Sequence, residues 1–156
     1  MAAKREGRLD ETEVSRGRLL AIDYGRRRIG LAISDELRLT AQPLETLERT
    51  NRRKDLSRLR EVVRKWKVAG IVVGHPLRMD GTAGEMAREA EQFAKRLQKE
   101  LCVRVELSDE RLSSWEAEQT VEEPKHRRSK KREMDSIAAA VILRDYLERK
   151  RESKTK

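Results

Sequence analysis

Apolar and polar positions alternate along this chain in a pattern that predicts strands first and helices later. Two short apolar runs, Leu19–Ile22 and Ile29–Ile33, flank a polar turn that contains Gly25. Their length and β-branched content are typical of strands, and the glycine between them indicates a hairpin. A third stretch, 39–47, alternates less regularly, and Pro43 confines it to a sheet edge or to a strand start. The first third therefore predicts three strands with short connections.

The middle of the chain changes to a helical period. Residues 52–66 place apolar side chains on one face with arginine and lysine opposite, and residues 85–101 carry a second such stripe. Between these helices lies the apolar run 70–74, which has the composition of a strand buried on both faces. Residues 103–107 then alternate apolar with charged positions, which predicts a half-buried strand.

The last third combines a basic run with a helix. Six lysines and arginines fall within 125–132, and their mutual repulsion predicts a loop there. Asp135 then opens a predicted helix that reaches about Arg149. Its segment Ile137–Leu143 is apolar on every face, which is typical of a helix packed deep against a sheet.

The resulting order, β-β-β-α-β-α-β-α, predicts one α/β domain over residues 18–149. Short connections favour antiparallel neighbours, and strands that alternate with helices favour parallel additions. We therefore expect a mixed five-stranded sheet with helices on both faces. Residues 1–17 are predicted to be a flexible extension, and residues 150–156 a basic, frayed tail.

Composition narrows the range of partners. The 156 residues carry a net charge of +9, and 42% of them are charged, which favours a polyanionic partner. The single cysteine, Cys102, excludes an intramolecular disulfide and is predicted to be a small buried hydrophobe. No apolar run approaches the roughly 20 residues of a membrane span, so we expect a cytoplasmic protein without a membrane partner.

Carboxylates follow the predicted strands where those strands end. Asp23 ends the first strand, Asp109 and Glu110 follow the last strand, and Asp135 stands at the start of the final helix. Each of them alone could cap a turn or complement a helix dipole. Strand ends on one side of an α/β sheet converge, however, and converging acids repel one another unless a cation neutralises them. Hard divalent cations prefer oxygen ligands, so the pattern favours a nuclease that depends on Mg²⁺ or Mn²⁺.

Basic residues near these acids are candidates for contacts to phosphate groups. The predicted nucleic-acid-binding residues are Arg26, Arg27, Arg28, Arg111, Lys125, Arg127, Arg128, Lys130, Lys131 and Arg132. The basic run could equally be a solvated segment, and Arg111 could pair with a neighbouring acid. Asp80 and Asp109 are possible auxiliary acids, although Asp80 precedes a glycine and also fits an ordinary turn. His75 is predicted to make a loop contact.

Five segments of this chain resemble the motifs of the YqgF family. They are Leu20–Gly25 with Arg28–Gly30, Thr40–Leu44, Val73–Gly81, Asp109–Ser113 and Asp135–Ala139. Members of that family are described as nucleases of precursor 16S rRNA and as Holliday-junction-resolvase-like proteins. The resemblance implies an RNase H-like fold, hydrolysis of nucleic acid with a divalent metal, and trimming of the 5′ end of precursor 16S rRNA. Carried over residue by residue, the catalytic and metal-binding acids are Asp23, Glu110 and Asp135.

One departure from the related resolvases keeps alternatives open. Those proteins often carry a fourth acid three residues after the helix aspartate, whereas position 138 is alanine in this chain. A DNA Holliday-junction resolvase and a nucleic-acid-binding factor without catalysis therefore remain alternatives to the RNA nuclease. The expected partners are precursor 16S rRNA, a pre-ribosomal particle or branched DNA, bound by a monomer or a homodimer.

Overall fold

The computed structural model describes residues 16–110 and 127–154, with the backbone alone for residues 127–132 and 154. Strands and helices follow one another in the predicted order. They are β1 (Arg18–Asp23), β2 (Arg28–Ser34), β3 (Ala41–Glu48), α1 (Arg52–Lys65), β4 (Val68–His75), α2 (Glu85–Leu101), β5 (Arg104–Asp109) and α3 (Arg127–Lys154).

The strands form one mixed sheet in the order β3-β2-β1-β4-β5. β1 is antiparallel to β2 and parallel to β4, so Ile22 pairs with Leu31 on one side and with Val73 on the other. β2 and β3 are antiparallel, whereas β4 and β5 are parallel. The predicted five-stranded mixed sheet is therefore confirmed. Because β1, β4 and β5 run in the same direction, their carboxyl ends lie at one edge.

Helices cover both faces of this sheet, as predicted. The face toward α1 and α2 carries the larger apolar side chains, which pack against Leu59, Phe93 and Leu97. The face toward α3 carries smaller ones at its centre, Ala21 and Ala32. Small side chains let a helix approach a sheet closely, so α3 lies near the strand backbones.

The edge position of β3 agrees with its proline. Pro43 pairs with Ala32 at an irregularity in the register between β2 and β3. Proline lacks the N–H that a central strand would use in a second ladder, so it is tolerated in an edge strand. The prediction of an edge strand at this point is confirmed.

Two predictions about the last third are wrong. Residues 127–132 are helical, so Asp135 lies about two turns inside α3 rather than at its start. Lysine and arginine are good helix formers, and neither glycine nor proline interrupts the chain between Arg127 and Asp135. Residues 150–154 continue the same helix instead of fraying.

The apolar segment of α3 is buried on one side only. Ala139, Ile142 and Leu143 face the sheet, whereas Ile137 keeps 38% of its surface exposed. The prediction that this segment packs against the sheet is confirmed, and α3 does so with one of its sides. None of the helices in the described ranges combines the length and the apolar composition that a bilayer crossing needs.

Cys102 also differs from its prediction, because its residue is exposed. It ends α2 in the left-handed region, with φ of 54°. A residue in that conformation commonly terminates a helix, and here it turns the chain toward β5. The apolar neighbours of Cys102 in sequence did not reveal this capping position.

Candidate active site at the end of the central strand

Asp23 is the last residue of the central strand β1. Side chains alternate along a strand, so Asp23 shares a face with Leu19 and Ala21, which pack against α3. Its direct partner on β2 is Gly30. Asp23 is half-buried at this position, between β2 and β4 and on the side of the sheet that α3 covers.

Gly30 brings the final helix close to Asp23. A Cβ atom built at position 30 would lie 2.0 Å from the carbonyl oxygen of Asp135 and 3.1 Å from its Cβ. No side chain fits between β2 and α3 there, so only glycine allows this approach. Because Asp23 and Gly30 are paired, the contact places Asp135 beside Asp23.

A second glycine, Gly74, makes the same kind of room on the other side. A Cβ atom at position 74 would lie 2.7 Å from Cδ1 of Ile142 and 3.8 Å from Cγ of Glu110. Ile22 pairs with Val73, so Asp23 and Gly74 follow one residue later on adjacent strands. Asp23 therefore lies between two glycine-bearing strands, with Asp135 against one and Glu110 against the other.

Asp135 forms an ion pair with Arg28 of β2. Nε of Arg28 donates to Oδ2 of Asp135 at 2.7 Å, and the two side chains are 25% and 24% exposed. Arg28 was predicted from the sequence to contact phosphate, and in the structure it pairs with Asp135, one of the predicted site acids. Among the described residues, the terminal nitrogens of Arg28 form no ion pair.

The charge of Glu110 is less well compensated by a neighbouring cation than that of Asp135. The pKa of the Glu110 carboxyl is raised from 4.5 to about 7, first by burial and second by the nearby Asp145 carboxylate. Arg149, with Nη2 at 3.5 Å, and Ser108, whose Oγ donates at 3.2 Å, oppose this rise. Arg149 and Ser108 were not identified from the sequence. The one available indication was that Arg149 lies about four helical turns after Asp135, near the same side of α3.

Other predicted site residues lie away from these acids or are committed elsewhere. Arg26 pairs with Glu89 of α2 at 2.5 Å on the opposite side of the sheet. Asp80 accepts hydrogen bonds from N and Oγ1 of Thr82 at 2.9 and 2.7 Å, which is the turn that its sequence also fitted. Nε2 of His75 lies 2.7 Å from Glu91, a contact made next to the loop.

The structure describes only some of the remaining residues that were predicted to belong to the site. Arg27 and Asp109 are exposed. Arg111 and Lys125 lie outside the described residues, as do the side chains of Arg127, Arg128, Lys130, Lys131 and Arg132. Their assignment to nucleic-acid binding stays a prediction.

The acids around Asp23 offer oxygen ligands alone, the type that hard divalent cations prefer. In residues 16–110 and 133–153, however, no three His, Cys, Asp or Glu side chains are grouped so that they could hold a metal ion. Arginines contact two of the three acids instead, Arg28 at Asp135 and Arg149 at Glu110. The donor chemistry fits Mg²⁺ or Mn²⁺, while Asp135 and Glu110 are paired with arginines of the chain itself.

Residues 17–149 match the model of the family described as RuvX, Holliday junction resolvase. The chain belongs to this family. The membership predicted from the five motifs is thereby confirmed.

Relatives cover nearly the whole chain. A protein of Koribacter versatilis named "Putative pre-16S rRNA nuclease" is 43% identical over 143 residues, which are 91% of this chain and 94% of the relative. A protein of the same name from Anaeromyxobacter sp. (strain K) is 48% identical over 134 residues, covering 85% and 98%.

A solved structure supports the fold. The RuvC structure from Thermus thermophilus matches with a TM-score of 0.50 and 14% identity, over 86% of this chain and 96% of that chain. At this identity the likeness concerns the fold alone. It confirms the RNase H-like architecture that the family resemblance implied.

Proposed function

We propose that this chain trims the 5′ end of precursor 16S rRNA by metal-dependent hydrolysis of phosphodiester bonds. As a member of a resolvase family, it is a hydrolase that acts on nucleic acid. The observation that carries the proposal is the position of Asp23 between two glycines that admit Asp135 and Glu110. The relatives named for precursor 16S rRNA favour RNA as the substrate, which implies a cytoplasmic setting.

Asp23, Glu110 and Asp135 are the residues that would hold Mg²⁺ or Mn²⁺. When bound, such an ion neutralises charge on the phosphate and lowers the pKa of a bound water. The state of Glu110 supports this assignment, because its carboxyl is largely buried and Arg149, its nearest cation among the described residues, is 3.5 Å away. A carboxylate so incompletely balanced would gain from a further cation, as its raised pKa indicates.

Arg28 is proposed to orient the substrate. Its Nε is fixed by Oδ2 of Asp135, which leaves the terminal nitrogens to donate to a phosphate oxygen. An arginine that bridges a site acid and the phosphate would set the strand in register with Asp23. The same ion pair holds Asp135 in one rotamer, so Arg28 positions both partners.

A four-way DNA junction is the second candidate substrate, because the family description names that activity. The two substrates share the chemistry of phosphodiester hydrolysis and differ in shape. A direct comparison therefore decides between them. We expect cleavage of a precursor 16S 5′-leader RNA to exceed cleavage of the DNA junction at equal concentration.

The test of the site is Asp23→Asn, assayed with Mg²⁺ and with Mn²⁺ on both substrates. We expect cleavage to be lost, nucleic-acid binding to be kept, and Tm to stay equal or rise, because a repelling charge is removed. The control is Glu61→Gln, which removes one negative charge from the exposed surface of α1. If Asp23→Asn cleaved as fast as Glu61→Gln, the carboxylate assignment would be wrong.

A further inference from the structure

A pocket with a volume of about 450 Å³ opens next to the turn between β1 and β2, on the side of the sheet that α1 and α2 cover. Four arginines and two acids are among the residues that line it, which leaves an excess of two positive charges. These charged residues are Arg26, Arg49, Arg52, Arg96, Asp55 and Glu89. We call this the arginine pocket.

Both acids of the arginine pocket are already satisfied from within. Asp55 accepts from Nε of Arg49 at 3.2 Å and from the backbone N–H of Thr50 at 3.0 Å. Glu89 accepts from Nε of Arg26 at 3.0 Å, an ion pair that lowers the pKa of Glu89. Neither acid therefore needs the remaining two arginines.

Arg49, which lines this pocket, is held in place by several contacts. Its guanidinium lies 5.1 Å from the ring centroid of Tyr24 and 5.8 Å from that of Phe93. Its Nη1 also donates to Tyr24 Oη at 3.0 Å and to the carbonyl of Gly25 at 3.2 Å. These ring contacts and hydrogen bonds together fix the orientation of the guanidinium before any ligand arrives.

Arg52 and Arg96 supply the charge that is not balanced. Neither forms an ion pair among the described residues, although both line the pocket. Arg52 is also the first residue of α1, and the first N–H groups of a helix have no intrahelical acceptor. Oδ1 of Asn51 accepts a hydrogen bond from the backbone N–H of Lys54. The backbone N–H groups of Arg52 and Arg53 therefore remain for another acceptor.

We propose that the arginine pocket binds a phosphate group of the substrate strand, at a position separate from the bond that is cut. Guanidinium groups pair with phosphate through two parallel hydrogen bonds, and a helix N-terminus adds N–H donors and a favourable dipole. The volume exceeds what a bare phosphate needs and leaves room for its sugar.

The chain itself links this pocket to the carboxylates. Tyr24 and Arg26 line the pocket; Tyr24 directly follows Asp23 in sequence, and Arg26 lies three positions after it. A strand that crosses the β1–β2 turn can therefore reach both sides of the sheet. This inference rests on the proposed nuclease function, because it takes the bound phosphate to belong to the same nucleic acid.

The test compares two double variants with the same change in charge. Arg52→Gln with Arg96→Gln alters the pocket, whereas Arg64→Gln with Arg88→Gln alters exposed positions on the same two helices. The first probe is inorganic phosphate, followed by ¹H–¹⁵N NMR. We expect shifts at the Arg52 amide and at Nε of Arg49 in the wild type and the control, and none in the pocket variant.

The second probe is the precursor leader RNA, titrated by fluorescence anisotropy in EDTA over a series of salt concentrations. We expect the pocket variant to bind about tenfold more weakly than the control, the equivalent of one charge-assisted hydrogen bond. The slope of log K against log salt should flatten by about 1, as expected for one lost phosphate contact. Arg52→Gln alone, at an exposed position, repeats the test if the double variant unfolds.

The outcomes separate the possible errors. If inorganic phosphate causes no chemical-shift changes at the residues of the pocket, the proposal is overturned. Phosphate shifts accompanied by equal RNA affinity and salt slope in the two double variants also overturn it, since the pocket then takes a free phosphate compound rather than a strand. If Asp23→Asn remains active while the pocket variant still weakens RNA binding, the proposed carboxylate chemistry fails and the pocket stands.

Discussion

Gly30→Ala is the sharpest test of how the carboxylates are assembled. The added Cβ would lie 2.0 Å from the carbonyl oxygen of Asp135, whereas Cβ atoms in proteins essentially never come within 3.0 Å of such a neighbour. Backbone stands on both sides of this contact, so no side chain can turn away to relieve it. The helix α3 must therefore retreat from β2 by roughly 1 Å, and Asp135 moves with it.

The expected magnitudes follow from that displacement. Overpacking of a tight contact costs about 1–3 kcal/mol in the free energy of unfolding. For a chain of this length each kcal/mol corresponds to roughly 2–4 °C in Tm, so we expect Tm to fall by several degrees. A 1 Å misplacement of a catalytic group can cost about 100-fold in rate, so the loss of activity should exceed the loss of stability.

The assay measures Tm and the rate of metal-dependent cleavage of the leader RNA, well below the Tm of both variants. Gly70→Ala is the matched control, because its Cβ would meet Cδ2 of Leu19 at 3.1 Å. That atom ends a flexible side chain, which can shift by a few tenths of an ångström. A Gly30→Ala protein with the Tm and the rate of Gly70→Ala would refute the reasoning.

Two further predictions concern the ion pairs of the site. The pKa of Glu110 is raised to about 7, so between about pH 4.5 and pH 7 the folded protein binds more protons than the unfolded chain. Stability measured in EDTA should therefore fall as pH rises through this window, and the fall should be smaller in Glu110→Gln. If Tm depended on pH equally in the wild type and in Glu110→Gln, the raised pKa of Glu110 would be contradicted. Arg28→Gln removes the cation 2.7 Å from Asp135, so it should lower metal-free stability by about 1.5–3 kcal/mol and tighten Mn²⁺ binding measured calorimetrically. Unchanged Mn²⁺ affinity would show that Arg28 and the metal do not share Asp135.

The sheet could be predicted because its evidence is local. Each strand has its own apolar run, and Pro43 marked the edge strand without help from distant residues. The start of α3 could not be predicted in the same way. Repulsion within 127–132 suggested a loop, yet helix propensity and the docked remainder of α3 determine the helix.

The residues of the candidate site likewise include some that could be identified from the sequence and some that could not. Acids at strand ends could be identified from the sequence, because the order of strands determines which ends meet. The cations that pair with them could not, since Arg28 and Asp135 are 107 positions apart in the chain. The sequence predicted Arg26 as a phosphate contact but did not indicate the arginine pocket, because its residues come from the β1–β2 turn, the start of α1 and α2.

The position of Asp135 in the last helix determines when the three acids can come together during synthesis of the chain. All five strands precede α3 in the chain, so a growing polypeptide can complete the sheet before the last of the three acids has been added. Until α3 docks, the face that carries Ala21 and Ala32 is open to water, and Asp23 and Glu110 have no third acid beside them. On the proposed assignment, a growing chain whose α3 has not yet been synthesised lacks an assembled site while ribosomal RNA surrounds it. The enzyme would become able to cut RNA only when its final helix closes over the sheet.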